Sequence, residues 1–300
     1  MDGILVIDKP EGITSHDVVN RARRILGIRR IGHTGTLDPF ATGVIVLLVG
    51  RATRLARFLD KDEKEYEAVV QIGSETDTGD RTGQVITECG LRTEELESKV
   101  SEVDWDEIFE QFRGDLMQVP PMYSAKKVDG RKLYELARAG EEVERKAVPV
   151  TISKLELIDR TGRSQSEIRI RVACSAGTYI RTLAEDIGRS AGLGAHLTEL
   201  RRTRAGKFRI EDAVTLDKLE AMDDRLGRLV SMNDALGHLP EVVMSEDRAA
   251  KTKNGMSSRI AGLDLPDGTV VRMTEVGGTL IAVGEFAADE NSVRPVVVLG

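Results

Sequence analysis

Cysteine is scarce in this chain. Cys89 and Cys174 stand far apart with no ligand spacing, which excludes a disulfide framework and fits a reducing cytosol. Of four histidines, none has metal-ligand spacing with His33, so no metal site is expected. Aromatics make up only 4% of the residues, and the core must be largely aliphatic. There is no GxGxxG and no P-loop, so nothing points to a nucleotide cofactor. The longest apolar run, "VIVLLV", falls far short of a membrane span. The start, "MDGILVIDKPEG", carries acids where a signal peptide would carry bases. A cytoplasmic protein without membrane contact is the expectation.

What is present is a soluble, globular composition, 40% apolar and 31% charged, with length for one large domain and a small one. The net charge of −7 is unevenly spread. Residues 162–209 hold ten Lys/Arg against four Asp/Glu, and residues 1–57 nine against five. Residues 58–120 hold six against eighteen, and residues 210–300 nine against sixteen. Two basic blocks folded onto one face would form a surface for a phosphate backbone despite the acidic total.

Patterning places the elements. "GILVID" reads as a buried strand ending in a "KPEG" turn. A helix follows, with Ser15 as N-cap, an apolar stripe at Val18, Val19, Ala22, Ile25 and Leu26, and Gly27 as the stop. "GVIVLLVG" reads as a strand buried on both faces, "ATRLARFLD" as a short helix and "KEYEAVVQIG" as a strand. Residues 93–113 read as helical, with Leu96, Val100, Ile108 and Phe112 inward. Strands are expected at "VPVTISKLELID", "SEIRIRVACS" and within "AHLTELRRTRAGKF", and a helix at "GTYIRTLAEDIGRSAG". Strands and helices do not alternate regularly, so the fold class is α+β around a mixed, largely antiparallel sheet. Past "DALGHLP" the pattern changes to short strands and glycine turns, a small β domain over residues 240–300.

One stretch concentrates chemistry. "GHTGTLDPFATGV" holds Asp38 in a loop at the mouth of the most apolar strand. Asp before Pro is ordinary turn chemistry. Yet Gly32, Gly35 and Gly43 allow close backbone approach, and Pro39 confines Asp38 to extended geometry. A carboxylate held this way suits nucleophilic or general-base work. Tyr179 and Arg181 lie two apart at a glycine-led helix start, where a core ring and a surface cation are the plainer readings. Tyr66, at a strand start, matters only if a flat substrate needs a ring to stack on. "DTGD", Asp77 to Asp80, reads as a turn, because it lacks the further oxygen ligands of a calcium loop.

Together "LVIDKPEGITSHDVV", "GHTGTLDPFATGV", "YEAVVQIGSETDTGDRTG", "QVPPMYSAKKVDGRKLYELARAG" and "CSAGTYIRTLAEDIG…AHLTELRRT" resemble, in order, the motifs of the bacterial tRNA pseudouridine-55 synthases. The resemblance spans residues 3 to about 209, and from about 240 the chain resembles a PUA-type RNA-binding domain. It implies a pseudouridine synthase fold over 1–235, with an RNA-closing insertion at about 118–147. It implies isomerisation of one uridine in the tRNA T loop by base flipping, with no cofactor or metal. The family acid falls on Asp38, the stacking ring on Tyr66, and the partner of the acid on Arg181. His33 resembles the residue that fills the space of the flipped base, and Tyr179 and Leu200 the pocket walls. Lys9 is expected as a structural residue or phosphate contact, and Lys126, Lys127 and Lys132 as phosphate contacts. The protein is expected as a monomer needing no protein partner. Three alternatives stand beside this: a guide-RNA-dependent synthase, a non-catalytic tRNA chaperone, and a glycosidase, which needs a second acid as proton donor.

Overall fold

The computed structural model describes residues 1–300 apart from 125, 129, 142, 160–163, 165 and 261, and gives the backbone alone at 127, 128, 132, 134 and 138. The large sheet is built from β1 (Gly3–Lys9), β2 (Ile31–Thr34), β3 (Thr42–Val49), β4 (Lys64–Ile72), β5 (Gly114–Gln118), β6 (Val148–Asp159), β7 (Glu167–Cys174) and β8 (Ala195–Ala205). Its order is β1-β3-β8-β4-β7-β6-β5, with Val214–Thr215 outside β1, β2 on the far part of β3, and Phe208–Arg209 on β8. All but two of its pairings are antiparallel. Val214–Thr215 runs parallel to β1, and β8 meets β3 in parallel at Arg201–Thr42 and Arg202–Gly43 alone. That two-residue junction joins the two halves of the sheet. The strands splay away from it, and the cleft described below opens there.

The local physics explains the framework. β3 is buried almost throughout, as its unbroken apolar run requires. Helix α1 (Ser15–Leu26) lays Val18, Val19, Ala22 and Ile25 on β1 and β3 beside Leu5, Ile7, Ile45 and Leu47, at roughly 1.5–3 kcal/mol for each fully buried Val or Ile. It ends at Gly27 with φ 67°. Its N-cap is Thr14 rather than Ser15: Thr14 and Asp17 form a capping box. The Ser15 hydroxyl is engaged elsewhere, donating to the Leu37 carbonyl at 3.1 Å and accepting from the Leu37 N–H at 2.9 Å. The acidic segment expected as one helix is two, α2 (Thr93–Glu102) and α3 (Trp105–Glu110). Asp104 breaks it by capping the N–H groups of Asp106 and Glu107. With α4 (Ile180–Ser190) they cover β4, β6, β7 and β8 through Trp105, Phe109, Leu183 and Ile187.

The C-terminal region forms its own five-stranded sheet from Glu241–Met244 to Ser292–Val298. It has its own apolar core around Met244, Met273 and Phe286. It is not self-contained, however: Leu280, Val283 and Leu299 pack with Ile4, Leu48, Leu55 and Phe208 of the large domain. Arg54 seals the seam by donating to the Val298 carbonyl at 2.7 Å, and Arg51 donates to that of Leu299.

Candidate active site

The Asp38 loop links β2 to β3 and is tied down at nearly every peptide. Ser15 brackets Leu37, the Gly12 N–H donates to the Pro39 carbonyl at 2.8 Å, and the Ala41 N–H to that of Asp38 at 3.1 Å. Lys9 completes the clamp. Its ammonium is fully buried and donates to the carbonyls of Pro10, Pro39 and Ala41 at 3.0, 3.1 and 2.7 Å. All three of its protons are thus used, which corrects the expectation of a phosphate contact. Burial pushes Lys9 down to about 8, against the pull of Asp38. Gly43 cannot be replaced. Its φ is 100°, and a Cβ there would stand 2.2 Å from the Arg202 carbonyl at the parallel junction.

Arg181, in the first turn of α4, reaches Asp38 across the cleft. Its Nε lies 2.9 Å from Oδ2 and its Nη2 3.3 Å from Oδ1, a two-pronged pair. The guanidinium is almost wholly buried and also donates to the carbonyls of Thr78 and Tyr123, both at 2.8 Å. A second carboxylate, Asp80, lies 3.7 Å from Nη1. The turn read from "DTGD" is there, but Asp80 inside it is buried. It accepts from the Thr78 hydroxyl and from the N–H and hydroxyl of Thr82. Composition gave no sign of this; the signal in the sequence was a run of threonines around the acid.

A third of the Asp38 side chain, 34%, opens into a cleft of about 290 Å³, near the small end of ligand sites, roughly 300–1,000 Å³. Tyr66, Tyr179, Leu200 and Arg181 line it, joined by Asp60, Lys64 and Arg202, which sequence reasoning missed. Arg202 is 1% exposed and donates to the carbonyls of Val44 and Gly35 at 2.6 and 2.9 Å. Asp60 accepts from the Gly35 N–H at 3.1 Å. His33, on β2, is half-buried beside Asp60 and Arg202, outside the lining itself. Lys126 is half-buried in the segment after β5, and its carbonyl accepts from the Leu133 N–H. The side chains of Lys127 and Lys132 lie outside the described residues.

Desolvation governs the electrostatics. It pushes the Asp38 carboxyl above its ordinary 3.8; Arg181 opposes this and Asp80 adds to it. The adjacent cation therefore does not win outright. Burial raises the Tyr66 phenol and lowers His33 and Lys64. The phenol is protonated and the imidazole neutral near pH 7. The cleft thus combines a poorly solvated carboxylate held by a saturated arginine with an aromatic wall and an aliphatic one. This arrangement suits attack on, or proton removal from, a flat neutral ring system.

The comparisons with known proteins agree with the geometry. The family profile described as TruB family pseudouridylate synthase (N terminal domain) matches residues 23–180. The tRNA pseudouridylate synthase B C-terminal domain matches residues 181–238. The chain is 48% identical to the tRNA pseudouridine synthase B of Aromatoleum aromaticum, over 85% of this chain and 80% of that protein. It is 42% identical to that of Solibacter usitatus over the whole of both. Among solved structures, a chain of an H/ACA RNP bound to a substrate RNA containing 2′-deoxyuridine aligns with TM-score 0.72 and 25% identity, covering 99% of this chain and 85% of that one. A chain of a Cbf5-Nop10-Gar1 complex aligns at 0.71 and 26%, with 99% and 84% covered. The large domain is a pseudouridine synthase fold, followed by a separate C-terminal β domain. Sequence profiles, full-length relatives and a shared architecture converge on one assignment: the chain belongs to the TruB family of pseudouridylate synthases.

Proposed function

We propose that this protein isomerises uridine to pseudouridine at position 55 in the T loop of tRNA. The observation that carries the reading is the Asp38–Arg181 pair, presented by a clamped loop to a cleft of nucleoside size. The relatives' names supply the RNA: they are tRNA pseudouridine synthases, 42–48% identical to this chain. The guide-dependent alternative draws only on the weaker likeness, at 25–26%, to H/ACA chains.

The uridine must leave its stack to meet Asp38. The N1–C1′ bond breaks, the uracil turns, and C5 joins C1′. The C5 proton leaves and N1 gains one, so the reaction balances without an oxidant or co-reactant. In this reading Asp38 and Arg181 are catalytic, with Asp38 acting in its ionised form. Tyr66 offers its ring face and, as a protonated phenol, a hydrogen-bond donor. Tyr179 and Leu200 wall the base, and His33 takes the place it vacates. Lys9 acts by fixing the loop. The phosphates are met by Lys126, Lys127 and a basic belt. Between Asn20 and Phe58 the sequence carries eight arginines and one acid, Asp38, and Arg24, Arg29, Arg30, Arg54 and Arg57 are exposed. We read residues 1–235 as the catalytic unit and the PUA-like sheet, residues 240–300, as a further RNA contact. The same reading has a cytoplasmic monomer working without a protein partner.

The test is incubation of the protein with a T-arm hairpin, one short stem and its loop, followed by chemical mapping of pseudouridine. A single new signal at position 55 is expected. A wild-type protein that leaves the hairpin unmodified contradicts the reading. Binding should also weaken steeply as salt rises.

A further inference from the structure

β5 ends at Gln118, which is paired across the ladder with Val148, the first residue of β6. The whole segment 119–147 therefore leaves and re-enters the sheet at one point. The Gln118 side chain is buried, 6% exposed, and makes two hydrogen bonds to one residue. Its Oε1 accepts from the Tyr179 N–H at 2.7 Å, and its Nε2 donates to the Tyr179 carbonyl at 3.0 Å. Tyr179 is the N-cap of α4, and its own side chain makes no capping hydrogen bond. An amide used in both directions thus does the work of a paired strand residue: it satisfies the Tyr179 N–H and shares the Tyr179 carbonyl with the Leu183 N–H, which donates to it at 3.1 Å. Arg181 begins two residues later. It is itself bonded to the Tyr123 carbonyl, within the same segment, at 2.8 Å. Two separate contacts, one at the root of the segment and one inside it, converge on the turn that carries the Asp38 partner.

We infer that Gln118 is a positioning residue that couples the end of β5 to the Asp38–Arg181 pair. The Gln118 amide fixes the backbone of Tyr179, and the Tyr123 carbonyl fixes the guanidinium. Arg181 then holds both oxygens of Asp38. The inference rests on the proposed reaction for its kinetic consequence, but the contact itself is independent of it.

The test compares wild type with Gln118→Met, which keeps the length and loses both hydrogen bonds, and Gln118→Glu, which keeps the acceptor for the Tyr179 N–H. Single-turnover rates at saturating T-arm hairpin should fall about 10- to 100-fold in Gln118→Met, the usual cost of a slightly misplaced catalytic group. Hairpin affinity should be unchanged. The acid limb of the rate should move to higher pH, as Asp38 loses its cation. Gln118→Glu should restore part of the rate. Amide exchange at Tyr179 and Leu183, read without RNA, should speed up in Gln118→Met and stay slow in Gln118→Glu. Wild-type rate together with wild-type exchange in Gln118→Met overturns the coupling. If wild type forms no pseudouridine, the proposed reaction falls, and the exchange readout alone decides the coupling. If Gln118→Met does not fold, Gln118→Glu decides: fast exchange at Tyr179 with a wild-type rate overturns it.

Discussion

Strands β4 and β8 run side by side, and their two faces handle charge in opposite ways. On one face each charge has a local partner and stays near water. Arg201 meets Asp8 at 2.9 Å, Glu65 accepts from Thr203 at 2.8 Å, and Arg171 meets Glu67 at 2.8 Å. On the other face, one residue along, Arg202, Lys64 and Tyr66 line the cleft. Arg202 has carbonyls rather than an acid for partners, and burial shifts Lys64, Tyr66 and Asp38. Exposed pairs of the first kind are worth about 0–1 kcal/mol each. Buried groups of the second kind cost more to place, and their pKa values move with their surroundings. Alternation along a strand thus puts a cheap surface and an expensive site on the same backbone.

Substitutions on the two faces should separate cleanly. The largest effect belongs to Arg181→Leu. It strips Asp38 of its cation, and the rate should fall about 10²- to 10³-fold, with RNA affinity little changed in a filter-binding assay. Near-normal turnover would remove Arg181 from the mechanism. Next comes Arg202→Met, which leaves the buried Val44 and Gly35 carbonyls unpaired. Urea unfolding should report a loss of about 3 kcal/mol, and a loss below about 1 kcal/mol would show that water satisfies them. Asp80→Asn should act more gently, on the pH profile. Asp38 is raised above 3.8 partly by Asp80, so its ionised form, and the activity, fail on acidification at a pH above that value. Removing the Asp80 charge should move this acid limb downward. An upward shift would mean that Asp80 serves mainly to hold Arg181 in place. The smallest effect is expected on the back face. Arg201→Ala and Glu67→Ala should each change stability by under about 1 kcal/mol and leave single-turnover rates alone.

Much of this was legible in the sequence, for physical reasons that differ by element. The fully apolar run of β3 and the stripe and glycine stop of α1 each carry one dominant signal, and both elements form where expected. The break at Asp104 was missed because helical periodicity runs on through it; only the cap, a local hydrogen bond, ends the first helix. Ser15 has the chemistry of a cap, but a contact with Leu37, 22 residues away in sequence, claims its hydroxyl. The family resemblance implied that Asp38, Tyr66, Tyr179, Arg181 and Leu200 share one space, and the structure does bring them together. Asp80, Arg202, Lys64 and Asp60 went unnoticed for a shared reason. A charged residue in a turn or on a strand looks solvated until the tertiary fold buries it. Lys9 shows the converse: of its two expected roles, structural or phosphate contact, the three carbonyls around it decide for the structural one.

The central claim is that the Asp38 carboxylate, held by Arg181, does the chemistry while the tyrosine and leucine walls of the cleft hold the base. The direct measurement is release of tritium from uridine labelled at C5 in a T-arm hairpin, for wild type and Asp38→Asn, with hairpin affinity measured in parallel. The account predicts release by wild type and none by Asp38→Asn at unchanged affinity. Release by Asp38→Asn at a rate near that of wild type would contradict it.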